Sequence, residues 1–249
     1  MENTFVHTFP NKEVASAIRI HSSAEIPRAL DALHVQYPSP TLVLVGGAGG
    51  IKSGEESYRL FVDALAPLAQ AMNLVVIDGG TDIGIMQLMG RARSEIAATF
   101  PLVGVAAAGT IALSEAFLAR PNNELLEPHH SHFVLVPGSH WGDESPWIAQ
   151  IANVVAGNLP SLTLLINGGD VAWRDVLQSV KAKRPVIVVA DSGRTADELV
   201  EAMHGGESDK RARQLVASNL LHAIDPSEGF DELTRSIKGM LGVQENLGA

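Results

Sequence analysis

Five apolar runs in this chain each end in a glycine-bearing turn. Residues 42–45 lead into Gly46-Gly47, 74–77 into Gly79-Gly80-Thr81, 102–107 into Gly109-Thr110, 133–136 into Gly138-Ser139, and 162–166 into Gly168-Gly169. A sixth run, 185–190, leads into Asp191-Ser192-Gly193-Arg194. These runs are continuous rather than alternating, as strands buried on both faces require, and in a parallel sheet helices cover both faces. Their starts near residues 41, 74, 102, 133, 162 and 186 recur at about the spacing of a strand, crossover helix and next strand, roughly 30 residues.

The intervening segments change period. Leu60, Phe61, Ala64, Leu65, Leu68 and Met72 sit at helical spacing and predict a first crossover helix over 55–72. Pro67 is expected to kink or break it, because proline lacks the N–H and clashes with the preceding turn. Residues 84–97 predict a second helix directly behind Gly80-Thr81-Asp82. The connection over 111–130 carries Pro121-Asn122-Asn123 and Pro128 and reads as loop-rich. A helix begun near Ala172 ends in Lys181, Lys183 and Arg184, whose charge complements the negative end of the helix dipole.

Toward the N-terminus the pattern weakens. Residues 1–12 predict a loose arm or an edge element, and 17–20 a short strand. Ser22-Ser23 is placed to cap a helix carrying Ile26, Leu30, Leu33 and His34, which Tyr37-Pro38-Ser39-Pro40 would end. At the other end, 221–225 reads as a last edge strand before a terminal helix. No low-complexity linker divides the chain. The expectation is one α/β domain over 1–249, a Rossmann-like, doubly wound, mostly parallel sheet of six or seven strands, with the 1–12 arm and the 204–212 loop disordered.

Composition narrows the partners. A net charge of −10 and a pI near 5.3 argue against nucleic acid or an anionic membrane held by bulk electrostatics. Any phosphate must be held locally. The absence of cysteine excludes disulfides, thiolate metal sites and a cysteine nucleophile, and fits a reducing compartment. With no apolar stretch of membrane-spanning length and no signal-peptide layout, the expectation is a soluble cytoplasmic protein.

In an open parallel sheet, ligands bind beyond the carboxyl ends of the strands, where glycine lets backbone and helix N-termini approach an anion. The sharpest such turn is Asp78-Gly79-Gly80-Thr81-Asp82. Its glycines permit a tight turn, Thr81 adds a hydroxyl, and Gly80 is expected to keep space for a phosphate. The competing reading is that the glycines serve only helix-on-strand packing. Recurrence of glycine along one rim favours binding. Gly46-Gly47-Ala48-Gly49-Gly50 matches neither a spaced dinucleotide fingerprint nor a P-loop.

His129-His130-Ser131-His132 invites a metal hypothesis, but His130 and His132 would share one face of a strand while His129 faces away. Histidines that pack or cap are the preferred reading, with no metal and no cofactor expected. Asp143 and Glu144 offer carboxylates for general acid or base work, against the commoner case of a solvated loop. Asp191-Ser192-Gly193-Arg194 combines a hydroxyl, backbone donors and a guanidinium suited to bidentate contact with phosphate.

Over residues 18–201 the chain resembles the prokaryotic relatives of the cytosolic N-terminal homology region of melastatin-type TRP channels. These belong to the SLOG superfamily, with LOG phosphoribohydrolases and DprA-like proteins. The resemblance rests on 42–48, on Gly79 through Met86, on 103–106, on 130–136, on Asn167-Gly168-Gly169 and on Asp191-Ser192-Gly193-Arg194, in the family's order. It implies a Rossmann-like fold and a site for a nucleotide-derived, ADP-ribose-like ligand. Gly46, Gly47, Ala48, Gly80, Thr81, Asp82, Gly109, Thr110, Gly138, Ser139, Asn167, Gly168, Gly169, Ser192, Gly193 and Arg194 would surround it. No part of a channel's membrane domain is covered, so the resemblance implies a free-standing sensor that forms a homo-oligomer or acts through an effector protein.

The enzyme branch carries Pro-Gly-Gly-x-Gly-Thr-x-x-Glu after its fourth strand. Here that place reads Pro137-Gly138-Ser139-His140-Trp141-Gly142-Asp143-Glu144, with a glycine and the threonine missing and the acid out of register. Glu144 alone carries over as a catalytic candidate. A nucleotide N-glycosidase is therefore the alternative function, and an oligomeric scaffold the third.

Overall fold

The computed structural model describes residues 4–47, 55–113, 123–225 and 229–242. Its strands are β1 (Thr4–Thr8), β2 (Val14–Arg19), β3 (Thr41–Gly46), β4 (Val75–Asp78), β5 (Leu102–Ala107), β6 (Ile111–Ala112), β7 (Glu124–Leu125), β8 (His132–Val136), β9 (Ser161–Ile166), β10 (Val186–Val189) and β11 (Leu221–Ile224). The helices are α1 (Ile26–Ala32), α2 (Glu55–Arg59), α3 (Ala66–Ala71), α4 (Gly84–Glu95), α5 (Ser145–Ala156), α6 (Asp170–Lys181), α7 (Arg194–Met203), α8 (Lys210–Val216) and α9 (Phe230–Met240). Among the described residues the main sheet has nine strands in the order β1-β2-β8-β5-β4-β3-β9-β10-β11. Every neighbouring pair is parallel except the β1-β2 edge hairpin.

The α/β class is as the apolar runs predict, but six or seven strands is too few. The extra strands lie at the N-terminal edge, where β2 takes in most of the 17–20 segment read as a short strand and β1 pairs with it antiparallel. β1 alternates exposed and half-buried residues and leaves Val6 68% exposed, so it lacks the continuous apolar signature of a strand covered on both faces. The edge-element reading of 1–12 is the one that describes Thr4–Thr8.

Successive side chains of each strand point to opposite faces, and the described residues form two large cores and a smaller third one of Phe9, Ala15, Ala17, Ala106, Ile111, Leu126, Phe133 and Leu135. Val43, Val45, Val75, Ile77, Val103, Val105, Val134 and Val136 pack with α1, α5, α6, α7 and α8. Leu42, Leu44, Val76, Leu102, Leu164, Ile166 and Ile187 pack on the other face with the 60–71 segment, α4 and α9. Pro67 acts as expected: the helix widens to a π-turn over Leu60–Leu65 and restarts as α3 with proline in its first turn. Among its described residues the loop-rich connection contributes β6 and β7, which pair with each other. Within 204–212, α8 starts at Lys210 because the Asp209 carboxylate accepts from Ala212 N at 2.8 Å and Ala212 and Leu215 are buried. No helix among the described residues is long and apolar enough to cross a membrane.

Candidate functional site

From β3 the chain steps outward through β4 and β5 to β8, then returns to place β9 on the other side of β3. The topological switch point therefore lies between β3 and β9, where a crevice must open between crossovers leaving in opposite directions. A cleft of about 370 Å³ occupies that place. Gly46 and Gly47 from the end of β3, Gly169 from the turn after β9, and Thr81, Thr110, Glu144 and Arg194 all line it. The first turns of α4 and α6 open onto it through Ile83, Ile85 and Met86, and through Asp170, Val171 and Ala172. Neither helix has a side-chain N-cap.

Other residues of the predicted rim do not line this cleft. Asn167 N donates to Ser192 Oγ at 2.8 Å, and that hydroxyl donates to Val189 O at 2.5 Å, so Ser192 knits the turns after β9 and β10. Gly109 N donates to Gly138 O at 2.9 Å, and Ser139 N to Asp143 Oδ2 at 2.9 Å. Asp82 holds Gln87 through Oδ1. Gly168 and Gly193 supply positive φ angles of 111° and 105°. Ala48 lies outside the described residues.

Gly80 does not border the cleft. Its φ is +69°, and a Cβ there would stand 2.7 Å from Gly104 Cα and 2.9 Å from Phe133 Cε1. The space it keeps is core, not room for a phosphate, because the turn aims its pro-side-chain hydrogen back at β5 and β8. The cleft is met instead by its neighbours Gly79 and Thr81.

Beneath that turn lies a buried clamp. His130 Nε2 meets Asp78 Oδ1 at 2.9 Å and Nδ1 meets Glu127 Oε2 at 2.8 Å, with all three side chains essentially without solvent exposure. Asp78 Oδ1 also accepts from Gly80 N at 2.7 Å, and Glu127 N donates to Gly80 O at 2.9 Å. Both ends of the Gly80 peptide unit are thus held by groups that His130 bridges. Burial alone would depress the His130 pKa, but the flanking Asp78 and Glu127 carboxylates outweigh it and raise it to about 9. Burial likewise works against the Glu127 carboxylate, yet hydrogen bonds from His130 and His129 hold its pKa below the ordinary value. Since β8 begins only at His132, His130 and His132 do not share a strand face. His132 is kept neutral chiefly by burial, which lowers its pKa to about 4. Among the described residues no group of His, Asp or Glu is arranged to hold a metal ion.

Glu144 is not a solvated loop carboxylate. It is 6% exposed, accepts from Gly142 N at 3.0 Å, and burial raises its pKa. Asp143, by contrast, holds its own turn through the amides of Ser139 and His140. Asp175 of α6 faces the start of α5 and also lines the cleft. Burial pushes its carboxyl up to about 7, with the Ser145 hydroxyl opposing and Glu144 adding to the rise.

Asp175, Trp141, Glu124 and Asp170 line the cleft and were not legible as site residues in the sequence. Asp175 follows Arg174 in an amphipathic helix, where a charged pair reads as solvated surface. Asp78 and Glu127 escaped as well, although an acid directly before Gly79-Gly80 was a usable signal for a side chain folding back onto its own turn.

On the rim after β10, Asp191 and Arg194 adopt left-handed φ angles of 56° and 52°, as Asn167 does at 62° after β9. Non-glycine residues hold such angles only where the surroundings over-determine them. The Arg194 guanidinium is thereby set against the Gly47 and Gly169 turns, within 3.4 and 2.9 Å of the positions their Cβ atoms would take.

A family model described as SLOG in TRPM, prokaryote, matches residues 39–234. The transient receptor potential cation channel subfamily M member 2 of Rattus norvegicus is 24% identical over 202 residues, covering 67% of this chain and 13% of the channel. The mouse channel of the same name is 25% identical over 197 residues, covering 64% of this chain and 13% of the channel. The subfamily M member-like 2 channel of Nematostella vectensis is 22% identical over 248 residues, covering 85% of this chain and 16% of the relative. The chain thus spans a small fraction of the length of these relatives. With the family match running from just before β3 into α9 and enclosing every turn that lines the cleft, the chain belongs to the prokaryotic SLOG family related to TRPM channels.

Proposed function

We propose that this chain binds a phosphate-bearing nucleotide derivative of the ADP-ribose type in the switch-point cleft and acts as a ligand-binding or sensor domain. The observation that carries the reading is the convergence of Gly47, Gly169 and the Arg194 guanidinium at the ends of β3 and β9, where open parallel sheets take their ligands. Two helix first turns facing the same space add amide dipoles suited to an anion. The relatives are cation channels by name, and here the ligand would report through a homo-oligomer interface or an effector protein, from a single-domain chain in the cytoplasm with no further cofactor.

The test is a thermal-shift panel of ADP-ribose, ADP, AMP and adenosine. Phosphate-bearing compounds are expected to stabilise the protein by about 2.7 kcal/mol at 100 times the dissociation constant, and adenosine not to. Equal shifts from adenosine and its phosphates would refute the phosphate reading, and no shift at all would leave a scaffold. In calorimetry, Arg194→Ala should weaken ADP-ribose binding by about 1 to 3 kcal/mol, the range for a charge-assisted hydrogen bond. Arg194→Lys should recover only part, since a point charge replaces a planar fork. Unchanged affinity in Arg194→Ala would remove this side chain from the site.

One observation favours a second reading, a nucleotide N-glycosidase. Glu144 is buried in the cleft with a raised pKa, the condition for a carboxyl that donates a proton to a leaving group. Chromatography of each incubated nucleotide decides: release of free base identifies the enzyme, and intact ligand the sensor.

A further inference from the structure

The hairpin at the N-terminal edge of the sheet ends on an open strand. Directly opposite residues of β1 and β2 pair as Phe5–Ala17, Val6–Ser16 and His7–Ala15, and just past β1, Phe9 N donates to Glu13 O at 2.9 Å. Hydrogen-bonded rungs alternate in an antiparallel ladder, so Phe5 and His7 spend their peptide groups on β2. Ser16 N keeps the same alternation by donating the other way, to Ser131 O before β8, at 3.1 Å. The N–H and C=O groups of Thr4, Val6 and Thr8 therefore point away from the sheet, where no strand among the described residues meets them. Of the three large apolar side chains left exposed among the described residues, two, Val6 at 68% and Val14 at 57%, sit on one face of this hairpin. Natural edge strands are blunted by a lysine, a proline or a bulge. Thr4–Thr8 has none of these, and its register with β2 is unbroken.

We infer that β1 pairs antiparallel with β1 of a second copy of this chain, about a two-fold axis at Val6, joining two nine-stranded sheets into one. The choice of a second copy follows from the edge itself. Thr4-Phe5-Val6-His7-Thr8 read in reverse presents threonine, valine and threonine again at the outward rungs. An axis at Val6 sets Val6 against the partner's Val6 and Thr4 against the partner's Thr8, and at each of these rungs both strands have their peptide groups free. A slip by one residue would face free groups with spent ones, and a slip by two would leave a threonine unpaired. Charge agrees with this occupant. A chain of net charge −10 repels its copy wherever acids lie, and Thr4–Thr8 carries none. Burial holds the pKa of His7, the strand's one titratable side chain, below its ordinary 6.5, so the strand is neutral at physiological pH. The contact consumes the same edge on both copies and so closes at two. A single strand pair is smaller than the roughly 1,200 Å² of a stable complex, which makes the dimer reversible. This interface needs nothing of the cleft and forms whether or not a phosphate binds there.

Sedimentation velocity of the full chain across about 1 μM to 1 mM, where weak interfaces titrate, is expected to show a monomer giving way to a dimer. Val6→Lys sets two ammonium groups across the axis and should raise the dissociation constant at least about tenfold. Val6 is exposed, so the circular dichroism of that variant should match the natural chain. Because the chain has no cysteine, single cysteines report the register. Val6→Cys should form a covalent dimer under mild oxidation, its Cα lying about 5.5 Å from that of its copy. Thr8→Cys should not, since its copy stands roughly 13 Å away along the strand. A chain that stays monomeric to the highest concentration, a dimer that survives Val6→Lys, or equal cross-linking by both cysteines would overturn the interface. Should Val6→Lys not fold, the cysteine pair decides.

Discussion

Gly80→Val should lower the melting temperature by roughly 6 to 12 °C, before any ligand is considered. A valine there would have to hold a φ of +69° and place its Cβ 2.7 Å from Gly104 Cα and 2.9 Å from the Phe133 ring. Left-handed backbone costs a β-branched residue about 1 to 3 kcal/mol, and overpacking a core adds about 1 to 3 kcal/mol. A total of about 3 kcal/mol or more converts at roughly 2 to 4 °C per kcal/mol for a chain of this size. Relief is blocked on the near side, because Gly104 is backbone and cannot rotate away. Calorimetric melts of the apo protein check this. A variant that melts with the natural chain yet fails to bind phosphate compounds would put Gly80 back in the cleft and out of the core.

His130→Ala should cost about 3 to 5 kcal/mol, because it leaves the Asp78 and Glu127 carboxylates buried without the group that bridges them. The loss should depend on pH in a defined direction. His130 has its pKa raised from 6.5 to about 9 in the fold, so its contribution is complete below pH 6.5 and disappears as pH rises through about 9. Glu127 has its pKa depressed from 4.5, so its contribution is present above that value and lost in more acidic solution. The gap between natural chain and variant is therefore widest between about pH 4.5 and 6.5 and narrower at pH 9.5. Urea melts across this range measure it. A gap independent of pH would mean that the ring acts only by packing on Phe133, with which it stacks at 5.4 Å.

The parts of the fold legible in the sequence are those where one physical requirement dominates. β3, β5, β8 and β9 are apolar at nearly every position because helices cover both faces, and Pro67 declares its own helix defect. β1 is short, half exposed and antiparallel, and its pattern differs little from that of a loop. At the site, glycine turns reveal where the chain bends at the sheet's rim. They do not reveal which way each missing Cβ faces. Gly47 and Gly169 border the cleft and Gly80 the core, yet all three read alike in sequence. Asp175 became visible only when α6 was laid against α5, since its surroundings come from residues 30 or so positions away in the chain.

Gly90 in α4 has a use that its sequence position hides. A methyl group there would overlap the Glu127 carboxyl, so the helix carries a notch into which that side chain drops, and Arg93 one turn on donates to His129 O at 3.1 Å and Phe100 O at 2.9 Å. The helix whose first turn faces the cleft is keyed by its middle to the segment that grips the Gly80 peptide. It cannot slide along its axis without drawing Glu127 out of the notch. Axial displacement of α4 and release of the turn beside it are one mechanical event, and the amides of both should become exchangeable together.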